Sequence, residues 1–142
     1  MTQEFIARAS IVIDASRNKV WNALVDRAAL KQFFFGSDVR SDWKEGSTIT
    51  WSGVWEGKPY QDKGVVLKAE RDSALQYTHF SPLSGQPDTP ENYHTVTIEL
   101  SDQGRKTLVE LSQDNNPTED AQLHSEQNWR MVLTGLKKFV EA

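Results

Sequence analysis

The C-terminal stretch constrains the fold most. After Pro117 no proline intervenes before Glu141, and Trp129, Val132, Leu133, Leu136 and Val140 recur at the spacing of one apolar stripe on a helix. Asn116 is a candidate cap, Pro117 suits the first helical position and Glu119 follows three residues after the cap. Lys137 and Lys138 stand near the end where the helix dipole favours cations. Such a helix, of about 25 residues, is roughly 37 Å long. A domain of this chain's 142 residues has a radius of gyration of only about 14 Å. The helix therefore crosses nearly the whole molecule and needs an equally wide apolar surface to cover its stripe.

The rest of the chain offers one such surface. Residues 5–13 read FIARASIVI, with Phe5, Ala7, Ala9, Ile11 and Ile13 on one parity, as a half-buried strand requires. Ser16 caps a predicted short helix at 17–27, whose apolar face is Val20, Trp21, Leu24 and Val25, and a second short helix is predicted at 28–34. From residue 37 to 114 the period becomes two. Strands are predicted at 47–55, 60–70, 74–80, 93–101 and 105–113, with a weaker one at 38–43. Turn signals separate them at Glu56-Gly57-Lys58-Pro59, Arg71-Asp72-Ser73 and Asp102-Gln103-Gly104. Connections this short imply antiparallel neighbours. Six or seven strands at about 4.8 Å spacing give a sheet roughly 30 Å wide. The predicted fold is α+β: a curved antiparallel sheet of six to seven strands around a long C-terminal helix, with two short helices after the first strand, as one domain over residues 1–142.

The apolar stripe does not run the helix's full length. Extended toward the N-terminus it meets Gln122, Ser125 and Glu126. Burying unpaired polar groups costs about 1–3 kcal/mol each. That half of the helix therefore faces either a space holding water or a ligand, or bulk solvent. The aperiodic segment Ser81 to Asn92, with Pro82, Gly85, Pro87 and Pro90, has the length and composition of a lid or binding loop, or of a loose hairpin tip. Leu75, Tyr77 and His79 share a parity, as do His94, Val96, Ile98 and Leu100. Pairing Tyr77 with Val96 sets His79 opposite His94, and pairing Ile98 with Val109 sets Gln113 beside His94. A polar cluster of His79, His94 and Gln113 is thus expected at one end of an apolar face. It would hold the head of a ligand, or simply be hydrogen-bonded within the sheet edge.

Much chemistry is excluded. Cysteine is absent, so disulfides, thiolate nucleophiles and Cys-ligated zinc cannot occur. His79 and His94 offer two metal ligands where three or four are needed, with His124 off the helix stripe, so no metal or cofactor is expected. No nucleophile elbow, phosphate-binding loop or dinucleotide fingerprint is present. Most carboxylates, such as Glu70, Glu99, Glu119 and Asp120, fall at turns or on outward parity; Glu126 is the one candidate general acid, or else a solvated helix residue. With 16 Lys+Arg against 20 Asp+Glu, the net charge of -4 argues against nucleic acid as a partner. No apolar run is long enough to span a membrane. The opening Met-Thr-Gln-Glu-Phe lacks the basic and apolar regions of a secretory signal, so a cytoplasmic location is expected. Trp43, Trp51 and Trp55 are read as core, or as pocket walls.

Three segments in order carry a resemblance that covers nearly the whole chain. Ile13-Asp14-Ala15-Ser16 through Lys19-Val20-Trp21-Asn22-Ala23-Leu24-Val25-Asp26 resembles the opening of the START-like superfamily (SRPBCC, or polyketide cyclase-like). Leu30-Lys31-Gln32-Phe33-Phe34 looks like its second helix. Trp129-Arg130-Met131-Val132-Leu133-Thr134-Gly135-Leu136-Lys137 looks like its closing motif. The subgroup suggested is similar to the C-terminal domain of activators of a heat-shock chaperone ATPase. The resemblance implies a helix-grip fold, as in the birch-pollen-allergen family, with a cavity between sheet and helix. Chaperone activators proper carry a further N-terminal docking domain, for which this chain has no room, so chaperone binding is not expected. The function expected first is binding of a small apolar or aromatic molecule, lipid or polyketide-like, with a stress-related role. Trp51, Tyr77, Val96, Trp129 and Val132 would form the walls, and His79, His94, Gln113 and Glu126 the polar contacts. The loop at 81–92 would gate entry. The alternatives are an interaction module, including a homodimer, and a cyclase- or hydrolase-like enzyme using His79, His94 or Glu126.

Overall fold

The computed structural model describes residues 5–142; the reading of the first four residues as no secretory signal lies outside them. The elements run β1 (Phe5–Ile13), α1 (Arg17–Leu24), α2 (Arg27–Phe33), β2 (Asp38–Arg40), β3 (Thr48–Trp55), β4 (Lys58–Glu70), β5 (Ala74–His79), β6 (His94–Gln103), β7 (Lys106–Asn116) and α3 (Glu119–Glu141). Two single 3-10 turns, Pro82–Ser84 and Pro90–Asn92, interrupt the loop between β5 and β6. All seven strands form one antiparallel sheet in the order β1-β7-β6-β5-β4-β3-β2. This is the predicted helix-grip architecture. No helix among the described residues is long and apolar enough to cross a membrane.

Local chemistry explains the starts and stops. Ser16 Oγ accepts from the Lys19 amide and caps α1. α1 ends at Leu24 rather than 27 because Asp26 opens a new helix, its carboxylate accepting from the Ala29 amide. The long helix begins later than expected. Thr118 is its cap, accepting from the Ala121 amide, and Pro117 lies outside it. Asn116 instead ends β7, nearly buried. Its amide donates to the Phe5 and Gln113 carbonyls and its oxygen accepts from Ser125 Oγ. With both ends of its side chain committed to β1 and α3, it cannot serve as a cap.

The core lies between the sheet and the helices. Val132, Leu133, Leu136 and Val140 are its contribution from α3, packed with Val20 and Leu24 of α1, Leu30 and Phe33 of α2, and the inward residues of the strands. Gly135 lets α3 pass α2 closely, since a Cβ there would stand 2.8 Å from Phe33 Cβ. The polar head of α3 turns His124, Ser125 and Asn128 toward an open cleft and Gln122 and Glu126 toward the sheet edge. It is bonded to the outer backbone of β1: Gln122 Nε2 donates to the Ile6 carbonyl (3.0 Å) and Glu126 Oε2 accepts from the Arg8 amide (2.9 Å). Lys137 and Glu141 continue the row, to the Val12 carbonyl (3.1 Å) and the Asp14 amide (2.7 Å).

Candidate functional site

A cleft of about 700 Å³ opens between the middle of α3 and the sheet. α3 contributes His124, Ser125, Asn128, Trp129, Met131 and Val132. The turn after α2 adds Phe34, Phe35 and Ser37. The loop after β5 adds Ser81 and Leu83. The sheet supplies the floor: Trp51 and Trp55 of β3, Tyr60 and Asp62 of β4, Tyr77 and His79 of β5, His94 and Val96 of β6, and Gln113 of β7.

The floor is aromatic at one end and polar at the other. The Trp51 ring lies 5.5 Å from Tyr77 and edge-on to His79 at 4.9 Å. His79 and His94 are opposite one another in the β5–β6 register and stack at 6.3 Å. Trp129 meets Phe34 edge-on at 5.7 Å and closes the inner end of the cleft. Trp51, Tyr77, Val96 and Val132 are buried, so only part of each borders the cleft. Burial pushes the Tyr77 phenol well above its ordinary range, so it stays protonated.

The polar end is held by the backbone and by one unexpected carboxylate. His79 Nε2 donates to Asp62 Oδ2 at 2.9 Å. Asp62 Oδ1 is buried with no partner among the described residues. His94 Nδ1 donates to the Asp114 carbonyl at 2.9 Å, and Asp114 in turn accepts from the Thr95 amide. The hydroxyls of Ser37 and Tyr60 are 2.6 Å apart. Among the described residues no three or more His, Cys, Asp or Glu side chains gather in a way that could hold a metal ion.

Two expected contacts are placed elsewhere. Gln113 pairs with Val96, not His94, because the β6–β7 hairpin turns on Gly104-Arg105, one position later than the Asp102-Gln103-Gly104 signal implies. A shift of two residues keeps each side chain on its face, so Gln113 still borders the cleft, but it accepts from Trp129 Nε1 at 2.5 Å. Glu126 lies outside the cleft, on the β1 backbone and 3.9 Å from Arg130. Of the three tryptophans read as core, Trp51 is buried and Trp43 packs against the core, but Trp55 is 63% exposed at the tip of the β3–β4 hairpin.

Asp62 is the residue sequence reasoning missed. Its signal was the parity of β4, where Tyr60, Asp62, Gly64 and Val66 point inward together. The loop between β5 and β6 is better anchored than its composition suggests. Phe80 exchanges backbone bonds with Lys63 and stacks on Tyr93 at 5.1 Å. Lys63 pairs with Asp88, holding that carboxyl below its ordinary range, and Asn115 donates to the carbonyls of Glu91 and Tyr93.

Comparison with known proteins agrees with this architecture. Residues 14–141 match the family described as activator of Hsp90 ATPase homolog 1-like protein. The solution structure of ChR145 from Cytophaga hutchinsonii is 55% identical, covering 99% of this chain and 97% of that one, with a TM-score of 0.87. The Aha1 dimer from Colwellia psychrerythraea is 23% identical over 96% of both chains, with a TM-score of 0.75. Ara h 8.0201 shares the fold at only 10% identity, with a TM-score of 0.76 over 97% of this chain and 98% of that one. No curated protein matches the chain. The matched residues and the likeness to ChR145 together make this chain a member of the activator of Hsp90 ATPase homolog 1-like family.

Proposed function

We propose that the protein binds a small apolar or aromatic molecule in the cleft beneath α3. The observation that carries this reading is the cleft's rim. Phe35, Trp55, Leu83 and Met131 all border it and are 56%, 63%, 55% and 58% exposed. Large apolar side chains scattered singly need no explanation, but four around one opening form a patch that a bound molecule would cover. Behind them stand aromatic walls with a few polar groups, the usual composition of a ligand site. Covering apolar surface is favourable by about 25 cal/mol per Å². Entry would pass under Leu83, in the stretch of loop between the anchors at Phe80 and Asp88.

The test is a thermal-shift and tryptophan-fluorescence panel of lipids, flavonoids and other polyketides. At least one class is expected to raise Tm and perturb the fluorescence of Trp51, Trp55 and Trp129. A flat response across the panel would reject the reading. The same rim would suit a partner protein or a second copy. Concentration-dependent dimerisation that buries Trp55, with no small molecule bound, would favour that alternative.

A further inference from the structure

The hydrogen-bonding state of the two histidines limits which molecules fit the cleft. A carboxylate and a carbonyl only accept, so His79 must present N–H at Nε2 to Asp62, and His94 must present N–H at Nδ1 to Asp114. In a neutral imidazole the other nitrogen is then a bare acceptor. These acceptors are His79 Nδ1 and His94 Nε2. Neither has a protein partner, yet Asp62 Oδ1 is the one unpartnered buried side-chain polar atom among the described residues. The two ring nitrogens are therefore accessible, on rings that both line the cleft. The Asp62 carboxylate lies at the same end of the cleft, and its oxygens are spent on His79 or buried.

Resting on the ligand-binding reading above, we infer that the cleft takes a hydroxyl-bearing aromatic molecule, a phenol, whose O–H donates to His79 Nδ1 or His94 Nε2 while its ring lies against Trp51. The pair of acceptors rewards a donor and gives nothing to an ether oxygen. A ligand carboxylate would meet two lone pairs and the Asp62 charge, which rejects the fatty-acid type of head group. A ligand cation gains little, because no carboxylate oxygen is left open to it. Trp51 and Tyr77 beside the histidines favour a flat ring over an alkyl chain.

The experiment uses the intact protein and four probes of one shape: 2-naphthol, 2-methoxynaphthalene, 2-naphthoate and 2-naphthylmethylammonium. Kd is measured by calorimetry at pH 8, above the titration range of a free imidazole. The naphthol is expected to bind about tenfold more tightly than the ether or the naphthoate, the size of a good hydrogen bond made or lost. In His94→Phe and His79→Asn that preference should shrink toward unity while ether binding persists. These variants add to the wild-type comparison, which decides the question even where a variant does not fold. Equal binding of naphthol and ether overturns the donor requirement and leaves the binding reading standing. Tighter naphthoate or ammonium overturns it in favour of an anion or cation site. Silence from all four probes rejects both this inference and the reading beneath it.

Discussion

Gly64 shows how much one missing side chain matters. It lies on β4 between Asp62 and Val66, and a Cβ there would be driven into the backbone carbonyl oxygen of Thr78. Thr78 also uses its hydroxyl to accept from the Val65 amide. The β4 and β5 backbones approach this closely beside the point where Asp62 reaches His79. Gly64→Ala must push the strands apart, since backbone cannot swing aside as a flexible side chain can. The expected cost is about 3 kcal/mol, roughly 10 °C in Tm, measured by thermal unfolding. A variant as stable as the parent would show that the approach is looser than described. Residue-scale chemistry is also where the sequence was hardest to read. Glu126 and Asp62 are both carboxylates with polar neighbours in sequence. The crossing of α3 over β1 turns Glu126 to the sheet edge, whereas Asp62 follows the parity that β4 keeps from Tyr60 to Val66.

At the scale of elements, periodicity was enough to find all seven strands and all three helices, since each buries a single face. Boundaries needed side-chain partners that pattern does not reveal. The start of α3 is the clearest case: Asn116 and Thr118 are both good caps by residue type, and the choice rests on Phe5, Gln113 and Ser125 having claimed Asn116. The two positions should therefore respond differently. Thr118→Ala loses a cap, at about 1 kcal/mol. Asn116→Ala strands two carbonyls and a hydroxyl in a nearly buried spot, and should cost roughly 2–3 kcal/mol. Denaturant melts of both variants check this, and equal losses would restore Asn116 as the cap. Matching the apolar sets of β5 and β6 was enough to place His79 and His94 on one face, and pairing Tyr77 with Val96 set them opposite. The β6–β7 register came out two residues off, since a slip of two preserves the same faces and only the turn decides.

At the scale of the whole molecule, acid should loosen the structure through a few outlying carboxylates. Asp38, at the start of β2, takes hydrogen bonds from Arg27 of α2 and from Arg40, and the Arg27 bond leads in lowering its pKa from 3.8 to about 2. Glu141 is likewise held below its ordinary range by the Asp14 amide and Lys137. Both groups have depressed folded values. Their contribution is thus complete above the unfolded pKa and fades as pH falls toward about 2. Melting temperature is expected to drop between pH 4 and 2, as judged from these shifts, and Asp38→Asn should flatten that drop while lowering Tm slightly at neutral pH. A profile unchanged by the substitution would show that the Arg27–Asp38–Arg40 cluster adds no stability.

The bonds from Gln122, Glu126, Lys137 and Glu141 to the outer backbone of β1 have a further effect. An unpaired outermost strand normally invites a second chain to extend the ladder. Here four of the groups an incoming strand would need, the Ile6 and Val12 carbonyls and the Arg8 and Asp14 amides, are already engaged by the terminal helix. The opposite margin, β2, offers only three residues. Both borders of the sheet are thus blunted against templated growth, along β1 by polar side chains drawn from the two ends of α3.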